Sequence, residues 1–173
     1  MKLTRLSPLL LALACAFASA NEHMQEGIAQ VQKRDFHGAV KSLTLVLQAN
    51  PSDSNALLYR GYAYFYLHEL EAARKDFQQS IKLAPYASQG YFNYGLVLDE
   101  QGRHEQAIEQ YQQAIRLSPT DASAHYNMGN SYSKLGKLLE AEQSFQKALQ
   151  LNPQHPHAAN NLAIVKSRIE GKQ

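Results

Sequence analysis

The chain repeats itself every 34 residues, and no other feature limits its possible folds as strongly. With Ala122 taken as position 1 of a unit, Gly129 falls at position 8, Tyr132 at 11, Ala141 at 20, Phe145 at 24, Ala148 at 27 and Pro153 at 32. One period earlier the same columns hold Gly95, Leu98, Ala107, Tyr111, Ala114 and Pro119. The period before that gives Gly61, Tyr64, Ala73, Phe77, Ser80 and Pro85. A further step reaches Gly27, Gln30, Ala39, Leu43, Val46 and Pro51, a weaker copy that keeps the small residues and the proline but loses the aromatic at position 11. A constant period of this length marks supersecondary units that bury a core only by stacking on their neighbours.

Inside a unit, positions 4, 7, 8 and 11 make one helical stripe and positions 20, 24 and 27 make a facing stripe on a second helix. Glycine or alanine at 8 and 20 lets the two backbones approach, and a large side chain at 11 or 24 fills the space beside them. The first copy reads as a helix over Glu22 to Lys33, a turn at Arg34 and Asp35, and a second helix to about Gln48. Pro51, Pro85, Pro119 and Pro153 mark the joints, because proline lacks a backbone donor and pushes the residue before it out of helical geometry. Asp53 and Asp121 follow two of these joints, where a short carboxylate caps the N–H groups of the next helix. In the first copy Glu26 and Gln30 stand at apolar positions, as expected of a terminal repeat with nothing stacked outside it. After Pro153 one half-unit remains, Pro156 to about Glu170, with Ala159, Leu162 and Ala163 at positions 4, 7 and 8 and no second helix after it. It reads as a capping helix.

Six columns agreeing at one spacing resemble the tetratricopeptide repeat (TPR) family over nearly all of the chain beyond about residue 21. The resemblance implies an all-α, right-handed superhelix of about four helix pairs, over 21–53, 54–87, 88–121 and 122–155, followed by a capping helix and tail over 156–173.

Residues 1–20 stand apart from the period. Lys2 and Arg5 precede an apolar run from Leu6 to Phe17, and Ala18-Ser19-Ala20 supplies small residues for cleavage, so the segment reads as a secretory signal peptide that sends the chain to the periplasm. A competing reading takes Ala12 to Cys15 as a lipoprotein signal, with Cys15 lipidated and the protein held at the outer membrane. The pattern departs from that one in having Ala12 where a larger aliphatic residue is usual. Cys15 is the single cysteine, so the chain carries no internal disulfide. Lys plus Arg number 17 and Asp plus Glu 15; without Lys2 and Arg5 the balance is 15 to 15, which gives no electrostatic footprint for nucleic acid.

The sequence carries no nucleophile elbow, phosphate loop or HExxH pair, so it reads as non-enzymatic, with neither cofactor nor metal expected. Ser131 to Lys134 matches Ser-x-x-Lys, but it lies inside the helix that carries Tyr132 and has no SDN or KTG partner. His155 and His157 flank Pro156 and would leave a metal site incomplete. His23 and His125, at position 4, read as packing residues.

Function is then expected on the surface that the superhelix leaves open. The resemblance implies that the first helix of each pair lines a concave groove, with positions 2, 5, 6, 9, 12 and 13 on that side. Position 6 holds Gln25, Tyr59, Asn93, Asn127 and Asn161, and Asn130 adds an amide at position 9. Family members that bind extended peptides use asparagine here to bond the peptide backbone. Leu58, Tyr62, Phe65, Phe92, Leu96 and Tyr126 supply apolar surface in the same groove. The expected partner is another protein, held through an extended and largely apolar segment. The exposed aromatics also allow two arrays to pair. A clamp for an acidic C-terminal tail is not expected, since position 5 carries Met24, Leu58, Phe92 and Tyr126 instead of lysine, and Asp99 and Glu100 would repel such a tail.

Overall fold

A computed structural model describes residues 8–171, with side chains from residue 18 onward. Lys2 and Arg5 of the signal reading lie outside the described residues, as does the side chain of Cys15. Among the described residues there are nine helices and no strand, the all-α class that the family resemblance implies. None of the described helices is long and apolar enough to cross a membrane.

The chain divides into two compact bodies, residues up to Leu83 and residues from Ala84 onward. The first contains α1 (Pro8–Gln32), α2 (Phe36–Ala49), α3 (Ser54–Tyr66) and α4 (Leu70–Leu83). The second contains α5 (Ser88–Glu100), α6 (His104–Leu117), α7 (Ala122–Lys134), α8 (Leu138–Leu151) and α9 (Ala158–Glu170). α1 begins well before Glu22, so its helix continues back out of the repeat into the N-terminal segment.

The expected caps are in place. Asp53 Oδ1 accepts from the N–H groups of Asn55 and Ala56 at 3.1 and 2.9 Å, and Asp121 Oδ1 accepts from those of Ser123 and Ala124 at 2.9 and 3.2 Å. Asp35 does the same for α2 through the Gly38 N–H at 3.0 Å.

Within each pair the position 8 glycine lies against the position 24 side chain. A Cβ built on Gly61 would come within 2.8 Å of Phe77, one on Gly95 within 2.5 Å of Tyr111, and one on Gly129 within 2.7 Å of Phe145. All three rings are buried. Full burial of one such side chain contributes about 1.5–3 kcal/mol, so this column carries much of each pair's stability.

The stripe read from the sequence is incomplete. Positions 3 and 10 are also buried, with Ala56, Gly90, Ala124 and Ala158 in one column and Ala63, Val97, Ser131 and Val165 in the other. On α9 this corrects the expected packing residues: Ala158 and Val165 are buried, while Ala159 and Ala163 are exposed. On α9 Val165 meets the preceding pair, joining Leu138, Ala141 and Phe145 with Leu162 alongside. Positions 4 and 8 need a second helix of their own, and α9 has none.

Candidate functional site

Helix α3 carries Tyr59 and Tyr62 three residues apart, in two different settings. Tyr59 packs on the first core cluster, against Ala39, Leu43 and Leu57 among others, and is half-buried. Tyr62 joins an aromatic group that the period does not predict. Phe36, the first residue of α2, stacks on Tyr66 at 4.8 Å between ring centroids with 12° between planes. Tyr62 lies 4.7 Å from Tyr66 and 6.5 Å from Phe36, and Phe65 meets Tyr66 edge-on at 5.5 Å. Burial and a hydrogen bond with Tyr66 push the Tyr62 phenol up to about 12. Tyr66 remains 42% exposed, so the group presents an open aromatic face. Lower on α3, Arg60 forms a fork with Asp76 of α4, Nε to Oδ2 at 2.7 Å and Nη2 to Oδ1 at 2.8 Å, while Nη1 donates to Thr44 of α2 at 3.2 Å. This pair locks three helices of the first body together.

In the second body the candidate residues fall into two settings. Phe92 is half-buried with its ring 6.0 Å from Tyr111, packed on the cluster of Leu98, Ala107 and Tyr111. Asn93 is half-buried on α5. Tyr126, Asn130 and Asn161 meet directly: Asn161 Nδ2 donates to Asn130 Oδ1 at 2.9 Å and to Tyr126 OH at 3.2 Å. His155 covers the Tyr126 ring at 4.4 Å, with His157 at 6.4 Å. Burial and the neighbouring His157 hold His155 below its ordinary value. Asn127 is turned the other way, its Nδ2 donating to the Ser123 carbonyl one turn back on α7 at 2.9 Å. Three amides are therefore engaged within the body, two of them in fastening α9 to α7. His125 is buried as expected of a packing residue, and that burial lowers its pKa.

Asp99 is not presented as a repulsive charge. Its Oδ2 accepts from Tyr111 OH at 3.0 Å and Ser131 Oγ at 2.7 Å, and its Oδ1 lies 2.7 Å from His104 Nδ1, which requires the imidazole proton on that nitrogen. One carboxylate thus joins α5, α6 and α7. The sequence signal for this group was the small residue at position 10, where a buried serine needs an acceptor. No cluster of three or more metal-ligating side chains occurs among the described residues.

Family models described as tetratricopeptide repeat match residues 24–88, 77–109 and 122–155, and one described as TPR repeat matches 95–136. Among solved structures, MamA from Desulfovibrio magneticus RS-1 is similar with a TM-score of 0.80 at 21% identity, over 88% of this chain and 86% of that one. PilF of Pseudomonas aeruginosa is similar with a TM-score of 0.81 at 22% identity, over 90% of this chain and 71% of that one. The first TPR domain of Spaghetti (RPAP3), bound to the HSP90 peptide SRMEEVD, gives a TM-score of 0.67 at 20% identity, over 68% and 93%. These likenesses are of fold. A curated relative, the DnaJ protein P58IPK homolog of Arabidopsis thaliana, is 32% identical over 56 residues, which make up 32% of this chain and 12% of that protein.

Proposed function

The chain belongs to the tetratricopeptide repeat family, and on that premise we propose that it is a non-enzymatic adaptor holding an extended, largely apolar segment of a partner protein. The observation that carries this reading is the aromatic face of the first body, where Tyr66 stays substantially exposed on a base of Phe36 and Tyr62. Large contiguous apolar surface left open on a soluble domain marks an interaction site. On the first body Tyr59, Tyr62 and Phe65 would supply the burial beside Tyr66; on the second, taken by itself, Phe92 offers half-buried apolar surface and Asn93 an amide for hydrogen bonds to the backbone of a bound segment, while Asn127, Asn130, Asn161 and Tyr126 are engaged within that body. Each such bond is worth only about 1 kcal/mol net, so the aromatics dominate affinity. That a similar fold is seen with a peptide bound supports the general mode.

The test is selection of a displayed random dodecapeptide library on the full chain. Enrichment of peptides with apolar anchors, weakened by Tyr66→Ala at unchanged helicity, supports the reading; absence of any enriched peptide overturns it.

We also propose export to the periplasm through residues 1–20, with attachment to a membrane through lipid on Cys15 as the second reading, in which the protein serves a membrane-bound assembly machine. The charged start, apolar run and small residues of the N-terminal segment support export. Mass spectrometry of the mature N-terminus separates the two: Asn21 with a free amine excludes lipidation.

A further inference from the structure

Position 15 of every repeat is a turn residue with left-handed backbone, and two repeats fill it against type. Gly102 and Gly136 have φ of 73°, while Arg34 has 62° and His68 59°. Nothing lies within 4 Å of a Cβ built on either glycine, so the turn asks for conformational freedom and not for space. A side chain with a Cβ is disfavoured in this region, and arginine gains none of the local hydrogen bonds that let asparagine or aspartate tolerate it. A residue kept in a costly conformation points to a role for its side chain.

The Arg34 side chain lies at the aromatic face. Its guanidinium carbon is 6.0 Å from the centroid of the exposed Tyr66 ring, which rests on Phe36 and Tyr62. The adjacent carboxylate, Asp35, is turned to the start of α2, where it accepts from Gly38. Lys33, His37 and Lys41 nearby in the chain are exposed and bring no negative charge. The site is thus an open apolar platform with a cation at its edge. Charge complementarity selects a ligand that combines apolar surface with an anionic group.

We propose that this face of the first body docks an extended segment of a partner protein in which a large apolar side chain stands next to an aspartate or glutamate. The apolar group lies on Phe36, Tyr62, Phe65 and Tyr66, and the carboxylate pairs with Arg34. This rests on the peptide-binding reading and narrows it to a sequence preference.

The experiment is parallel selection of a random dodecapeptide library on the full chain and on its Arg34→Gly variant. Glycine suits the turn, so the variant is expected to melt at or above the temperature of the parent. Peptides recovered on the parent should carry Asp or Glu beside an apolar anchor about threefold more often than the unselected library, and those recovered on Arg34→Gly should not. Tyr66→Ala should lose the apolar anchor itself. Enriched peptides without the acidic neighbour, or an acidic preference that persists in Arg34→Gly, would overturn this proposal and leave the peptide-binding reading standing. No enriched peptide on the parent would overturn both, as would light scattering showing that a second copy of the chain occupies the face and excludes peptide.

Discussion

Gly129 on α7 faces the ring of Phe145 on α8 so closely that a single added carbon would stand 2.7 Å from Cε1. The ring is 1% exposed and lies in the core cluster with Leu138, Ala141 and Val165. The helix pair is therefore set at a distance that only a residue without a side chain permits.

Gly129→Ala is accordingly expected to destabilise the protein, although alanine is the better helix former by about 1 kcal/mol. Overpacking a buried contact costs about 1–3 kcal/mol, and here it has to exceed that gain. A net loss of about 1 kcal/mol in urea unfolding is expected. Gly136→Ala, in open space but with φ of 73°, should also destabilise, for the different reason of backbone strain.

The Asp99 group gives the protein a dependence on alkaline pH. Burial and the Asp99 carboxylate push the Tyr111 phenol far above its ordinary value of 10.0. The folded chain then keeps a proton that the unfolded chain releases from about pH 10 upward. Stability from Tyr111 is fully present below that pH and falls above it by about 1.4 kcal/mol per pH unit. Tyr62, pushed up to about 12, adds a second loss between its ordinary value and that one. Tyr111→Phe should flatten the alkaline decline measured by denaturant unfolding, while costing about 1 kcal/mol at neutral pH through the lost hydrogen bond.

The asparagines of the candidate site should differ sharply. Asn161→Ala removes the donor that Asn130 and Tyr126 share, and is expected to cost about 1–2 kcal/mol, seen as faster hydrogen exchange in α9. Asn127→Ala removes only a bond to its own helix backbone and replaces asparagine with a better helix former, so stability should change by less than about 0.5 kcal/mol.

This division shows where sequence reasoning reached its limit. The columns at positions 8, 20 and 24 were legible because they recur, and Gly61, Gly95 and Gly129 lie against Phe77, Tyr111 and Phe145 in the same way in each pair. The caps at Asp53 and Asp121 were legible because a carboxylate after a joint proline has one local use. Periodicity could not foresee interactions formed once. The Asp99 group, the Arg60–Asp76 fork and the stacking of Phe36 on Tyr66 each depend on residues that differ from copy to copy. The buried face of α9 departs from the repeat stripe for a related reason: a stripe shared by complete pairs includes the side that meets a second helix, and the last half-unit has no such helix.

Position 15 offers the cleanest separation of stability from function. Arg34→Ala keeps the left-handed strain and removes the cation from Tyr66, so it should lose about 0.5 kcal/mol. Arg34→Gly removes the cation as well but relieves the backbone, and should exceed the alanine variant by about 1 kcal/mol. The same order is expected for His68→Gly over His68→Ala, at φ of 59°. Thermal unfolding of the four variants measures this directly. If alanine and glycine proved equal at both positions, left-handed strain would carry no cost at these turns, and the choice of arginine would need no functional reason. If glycine is the more stable residue at position 34, the natural chain holds arginine there against its own stability, which is the pattern expected of a side chain kept for what it contacts outside the fold.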